Sequence, residues 1–236
     1  MATFPETRDP IRDDTSRVEG FSDAVFAVAI TVLVFDLRAP RHAPGELLHG
    51  LLAQWPVYVS YLASFLYVGV IWMNHHAAFT RIRRVDRPLR LMNLGILLHT
   101  ALIPFPTAVM AATLQEHSRT DSRIAIVLYA LVGALMCGSW LVFFHHLHRH
   151  RELVEPGVPE RFFAEERMRA WVGIVLYAIG GLAGTAVLPE AGLAVFVALP
   201  IFFALTSDGL LEFRSGAPRR RRRRRPRAPT ERRTSS

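Results

Sequence analysis

Arg17, Ser22 and Asp23 crowd the entrance of an apolar run that continues to Phe35, in the stretch RVEGFSDAVFAVAITVLVF. A carboxylate at the edge of a long hydrophobic segment is costly unless it has a partner or a task. Asp23 can accept hydrogen bonds or pair with an arginine. Ser22 can cap a helix or bond across to a neighbouring one. A second polar set, Trp72, Asn74, His75 and His76 in WMNHHAAF, stands near the end of another apolar run. If both runs cross a membrane, the two sets lie at one depth and can satisfy each other's hydrogen-bonding demands.

Other residues of chemical interest carry less. His145, His146, His148 and His150 in FFHHLHRH have the three- and four-residue spacings of a helical metal site. No carboxylate or cysteine stands within that stretch, so a solvated face at a helix end, where imidazole suits the dipole, is the reading taken. His99, beside Thr100 in mid-segment, reads as a polar contact between helices. Gly180 and Gly184 in GGLAG stand one turn apart and favour close helix packing. No Ser-His-Asp, HExxH or phosphate-loop pattern occurs, and an intramembrane enzyme, for which no paired nucleophile and base is found, ranks last among the readings. The single cysteine, Cys137, lies in an apolar run and offers neither a disulfide nor a thiolate metal site.

The elements that must position these residues are membrane helices. Half of the 236 residues are hydrophobic, and several runs reach or approach the ~20 residues needed to span a bilayer. Six segments are expected: 20–37, 47–80, 88–114, 122–148, 164–188 and 191–213. Pro104 and Pro106 predict a kink in the third, because each lacks an N–H and clashes with the preceding turn. VLPEAG, residues 187–192, leaves room only for a tight hairpin between the last two. The first sixteen residues are polar and mixed in charge, so no cleaved signal is expected.

All 28 basic residues are arginines. With both termini inside, 24 fall on the inner side and 4 on the outer, or 13 against 4 without the tail. That asymmetry predicts six spans with cytoplasmic ends. Residues 1–18 then form a cytoplasmic N-terminal segment, 19–213 the membrane domain and 214–236 a disordered tail. The tail holds seven consecutive arginines, Arg219–Arg225, which account for most of the net charge of +8. A solvated, topology-fixing tail is the reading taken, with attraction to anionic lipid as the functional alternative. Nucleic acid would be drawn by the same phosphate charge but is not expected as a partner.

The first segment is apolar nearly all round. One face carries Phe21, Ala24, Val28, Thr31, Val32 and Phe35, the others Val25, Phe26, Ala29, Ile30, Leu33 and Val34. Periodicity therefore leaves open which face meets lipid, protein or water.

RVEGFSD ahead of an apolar helix, the Thr31 position and the downstream WMNH resemble the Arg-x-x-x-Phe-Ser-Asp signature of the lysosomal-type potassium channels, the transmembrane protein 175 family, in its bacterial branch. The resemblance implies an all-α integral membrane protein with one six-helix unit per chain. Four chains would form a homotetramer whose first helices line a central pore. It also implies K⁺ as the permeant ion, with no cofactor. No TVGYG-like filter occurs in the sequence.

Carried over from the Asp, the constriction falls on Val28, Val32 and Phe35, with Thr31 on the same face, where the family more often carries isoleucine or leucine. Arg17, Phe21, Ser22, Asp23, Trp72, Asn74 and His75 become a structural network holding the inner end of the pore helix. The competing reading is a secondary transporter or proton-coupled carrier with Asp23, His75 and His99 as a relay.

Overall fold

The computed structural model describes residues 10–116, 118–186 and 198–205. The expected hairpin at 187–192, most of the sixth segment and the arginine tail lie outside the described residues, although 198–205 are helical. Helix α1 spans Pro10–Val32 and passes into a 3₁₀ turn, Leu33–Asp36. It is followed by α2 (Leu47–Ala53), α3 (Trp55–Phe79), α4 (Arg87–Leu102), α5 (Pro104–Glu116), α6 (Arg119–Arg149) and α7 (Glu160–Ala186). Among the described residues, five stretches are long and apolar enough to cross a membrane: Asp14–Asp36, Trp55–Phe79, Arg87–Thr113, Arg119–Arg149 and Glu160–Ala186.

Two expectations need correction. The first helix does not begin near Gly20 but ten residues earlier, at Pro10, so Ser22 lies in mid-helix and caps nothing. The second segment is not one helix: it breaks at Gln54, after which Pro56 sits in the first turn of α3, where its missing N–H costs nothing. The kink expected of Pro104 and Pro106 is present: the helix is interrupted at the single residue Ile103, between α4 and α5. Thr100 O, which a helical residue 104 would have bonded, accepts from Ile103 N at 3.1 Å instead.

Packing follows from small residues and aromatics. α6 and α7 form the most extensive helix pair, and glycines set their distance. A Cβ on Gly133 would sit 2.3 Å from the Tyr177 ring, and one on Gly173 2.6 Å from Cys137 Sγ. The buried Tyr177 hydroxyl donates to Tyr67 at 2.8 Å and ties α7 to α3. Gly180 and Gly184 are both buried, as close packing demands.

The helix ends are joined at one end of the bundle. Arg83 N and Arg84 N both donate to Leu153 O, at 2.8 and 3.1 Å, and Glu155 N donates to Arg81 O at 2.9 Å. The α3–α4 and α6–α7 loops are therefore interlocked. Thr15 Oγ1 donates to Arg83 O at 3.4 Å, which brings the start of α1 to the same end.

Candidate functional site

Burial resolves the ambiguity of α1. Ser22, Phe26, Ala29 and Leu33, spaced four, three and four apart, are 0–5% exposed and form the face turned into the bundle. Phe21, Val28, Val32 and Phe35 are uncovered, Val28 by 60% and Phe35 by 74%. Ala24 and Thr31 are exposed with them. All four expected constriction residues thus lie on the face that the chain itself leaves open. Phe35 belongs to the 3₁₀ turn, in which residues three apart eclipse, so it stands in line with Val32.

Thr31 uses its hydroxyl hydrogen within its own helix, with Oγ1 2.9 Å from Val28 O and 3.0 Å from Ala27 O. Its remaining oxygen lone pairs are acceptors on the exposed side. A groove of about 350 Å³ runs beside this stripe, bordered by Ala24, Val28 and Val32 on α1 and by Ala101 and Pro104 at the α4–α5 break.

The buried face carries the polar lock. Trp72 Nε1 donates to Asp23 Oδ1 at 2.9 Å, joining α3 to α1. The partner of Asp23 is thus an indole rather than an arginine. Ser22 donates to Val18 O at 2.9 Å within α1 and accepts from Asn93 Nδ2 at 2.9 Å. Asn93 Oδ1 lies 2.8 Å from His75 Nε2. Because the Asn93 nitrogen is committed to Ser22, its oxygen must accept, so His75 Nε2 carries the hydrogen. The chain of donors runs His75, Asn93, Ser22, Val18 O.

His75 is 0% exposed, edge-on to Phe26 at 5.1 Å and stacked on Phe79 at 4.3 Å. An unpaired polar group in such surroundings costs about 1–3 kcal/mol; the His75–Asn93 bond spares Nε2 that cost, while His75 Nδ1 is buried without a hydrogen-bond partner.

Asn93 is the member of this lock that sequence reasoning missed. It sits in an otherwise ordinary helical stretch, LRLMNLG, and its only signal was a polar amide among apolar neighbours.

Other expected members fall elsewhere. Asn74 turns to the opposite side of α3 and lines a cavity of about 50 Å³ with Tyr67, Trp140, Glu166 and Arg169. Arg17 is exposed and borders a groove of about 360 Å³ with Phe21, Asp14 and Arg90. Neither enters the Ser22–Asn93–His75 chain.

The histidines near the end of α6 are also differently placed. His146 Nε2 lies 2.9 Å from Asp86 Oδ2, a carboxylate 60 positions away, and its ring stacks on His150 at 4.2 Å. Its side chain is 10% exposed, so for His146 the solvated reading fails. Asp86 also caps α4 by accepting from Leu89 N at 2.8 Å. Partial burial alone would raise the Asp86 carboxyl, but the Leu89 and His146 hydrogen bonds prevail and hold it below its ordinary value. No group of three or more metal-ligating side chains forms among the described residues.

His99 contacts Gly95 O at 2.7 Å and Ser139 Oγ at 3.0 Å, linking α4 to α6 as expected. It is not joined to Asp23 or His75, so the described hydrogen bonds form no relay among the three.

Residues 17–104, which contain the stripe and the lock, match the family model described as the endosomal/lysosomal potassium channel TMEM175. A potassium channel of Streptomyces collinus is 38% identical over 200 residues, covering 84% of this chain and 90% of that one. The chain belongs to the TMEM175 family. A crystal structure of a lysosomal potassium-selective channel TMEM175 homologue from Chamaesiphon minutus superposes with a TM-score of 0.70 at 30% identity, covering 87% of this chain and all of that one.

The endosomal/lysosomal proton channel TMEM175 of Bos taurus is 28% identical over 207 residues, 80% of this chain but 42% of that longer protein. TMEM175 proteins are ion channels of membranes, not enzymes.

Proposed function

We propose that this TMEM175 chain is a potassium-preferring cation channel of a bacterial plasma membrane. In this reading six helices cross the bilayer with both termini cytoplasmic, and four copies surround a pore lined by α1. The supporting observation is the stripe of Ala24, Val28, Thr31, Val32 and Phe35. It is continuous, apolar but for one hydroxyl, and uncovered by its own chain. A homotetramer would bring four such stripes together on an axis.

Four apolar side chains facing one another leave too little room for a hydrated ion, so a narrow ring resists conduction by dewetting. A small widening admits a partly dehydrated cation. Potassium holds its water less tightly than sodium and is favoured without a carbonyl cage. The Thr31 oxygens, with lone pairs free on the exposed side, offer a polar station within the ring.

Ser22, Asp23, Trp72, Asn93 and His75 hold the inner end of α1 from behind and do not touch the ion. The arginine tail adds attraction to anionic lipid, about 1 kcal/mol per arginine close to the surface.

Liposomes containing the purified protein test this reading. They should release potassium down its gradient faster than they release sodium down the same gradient. Release no faster than from protein-free liposomes would reject it.

A further inference from the structure

The cavity of about 50 Å³ that Asn74 borders is used by neither the stripe nor the lock. Its walls come from α3, α6, α7 and Phe203, and none of them from α1. Tyr67, Val70 and Met136 are part of its apolar lining, while Asn74, Trp140, Glu166 and Arg169 are polar.

The charges in this wall cancel. Glu166 and Arg169, one turn apart on α7, form a largely buried ion pair. Three other side chains bring hydrogens to the cavity. Tyr67 is 3% exposed and accepts from Tyr177, which leaves its own hydroxyl hydrogen without an acceptor among the described residues. The Asn74 amide and the Trp140 indole N–H also have no acceptor among the described residues. A buried donor without an acceptor carries a desolvation penalty that an incoming oxygen removes. The lining thus suits a neutral group that accepts and does not donate.

Depth narrows the choice of that group. Asn74 stands five residues before the end of α3, Trp140 nine before the end of α6, and Arg169 nine after the start of α7. At about 1.5 Å per residue, these positions lie roughly 8–14 Å in from the helix ends where the loops interlock. With 31 residues, α6 is about as long as a bilayer is thick, ~40–45 Å with headgroups around a ~30 Å hydrocarbon core. The cavity therefore stands just inside the boundary between headgroups and hydrocarbon, at the level of the ester carbonyls that join phospholipid chains to glycerol. Its volume holds a few waters or one ester group, with the lipid's chains left in the bilayer.

We propose that this cavity binds the ester carbonyl of a bilayer phospholipid, with Tyr67, Asn74 and Trp140 as donors beside the charge-balanced Glu166–Arg169 pair. An anionic headgroup meets Glu166 as well as Arg169 and gains little there, so the site selects the ester and not the headgroup. A bound ester ties α3 to α6 on the side of the bundle away from α1. The site is independent of how ions pass the stripe.

Thermal unfolding of the purified full chain in a maltoside detergent, which carries no ester, tests this. Phosphatidylglycerol with two ester-linked chains is compared with its diether analogue, identical in headgroup and chains but without carbonyls. The diester should raise the melting temperature at a half-maximal concentration about three- to ten-fold below that of the diether. Phosphatidylcholine should show the same preference. Equal responses to diester and diether overturn the proposal, and so does a preference confined to phosphatidylglycerol.

Two variants locate the preference. Asn74→Leu keeps the side chain's size and removes its donors, and should shrink the diester preference. Ala170→Leu fills the cavity from α7 and should abolish it. A preference that Ala170→Leu leaves at its wild-type size overturns the site. The diester and diether comparison is made on the unaltered chain, so a variant that fails to fold leaves that arm decisive. Triacetin, a triester without long chains, separates a free ester from a lipid: stabilisation by triacetin with no diester preference overturns the lipid as occupant.

Discussion

Asn93 donates its amide hydrogen to Ser22 Oγ at 2.9 Å across the α1–α4 contact, and through its oxygen it receives the His75 Nε2 hydrogen at 2.8 Å. One side chain thus joins α1, α3 and α4 beside the end of the exposed stripe nearer the start of α1. Its replacement gives the sharpest stability prediction.

Asn93→Leu leaves a buried imidazole N–H without an acceptor and a buried hydroxyl oxygen without its donor. Each stranded group costs about 1–3 kcal/mol. The melting temperature of the protein in detergent should fall by many degrees. An unchanged Tm would mean that the chain of donors is not a structural lock.

Asp23 separates scaffold from relay. Asp23→Asn retains an oxygen to accept from Trp72 and should keep both folding and current. Asp23→Ala removes the acceptor and should reduce the yield of assembled protein, as read by size-exclusion chromatography, before it changes ion preference. Current abolished in a well-assembled Asp23→Asn protein would favour the carrier reading instead.

Much of this arrangement was legible in the sequence, for identifiable reasons. Asp23 and Trp72 each stand near one end of an apolar run, and depth is a quantity a sequence encodes once spans are counted. The α4–α5 break was legible because proline's missing N–H is a local property. The choice of buried face on α1 was not: when Phe26 and Val28 are equally apolar, periodicity has no contrast, and only the packing of Phe26 and Leu33 against the bundle decides. Asn93 and Asp86 were missed for a related reason. The partner of a polar group is a tertiary fact, and neither LRLMNLG nor RRVDRP names its partner on another helix.

Asp86 predicts a pH dependence of stability. Its carboxyl is held below the ordinary value by Leu89 N–H and His146, against the effect of burial. A depressed folded value means that the stabilisation is present above the unfolded value, near pH 4 for an ordinary aspartate, and is lost as pH falls through the lower folded value. Asp86→Ala should cost about 1 kcal/mol or more at pH 7 through loss of the α4 cap. That difference should shrink below about pH 4. A difference that stays constant down to pH 2.5 would contradict the assignment.

The α6–α7 seam predicts steric intolerance. A Cβ at Gly133 would lie 2.3 Å from the buried Tyr177 ring, whose hydroxyl bonds Tyr67. Gly133→Ala must displace that ring and should destabilise by about 1–3 kcal/mol. Gly138→Ala, on the same helix with nothing within 4 Å of the added atom, should leave the melting temperature close to that of wild type.

The central claim is that the uncovered stripe of α1 discriminates between ions. The direct measurement is the reversal potential across a planar bilayer containing the purified protein, with potassium on one side and sodium on the other. The potential should be displaced toward the potassium equilibrium potential. Val28→Asn and Phe35→Ala, on the stripe, should move it, and Val34→Ala, on an exposed face off the stripe, should not. A reversal potential near zero, or one that Val28→Asn and Phe35→Ala leave unchanged, would contradict the claim.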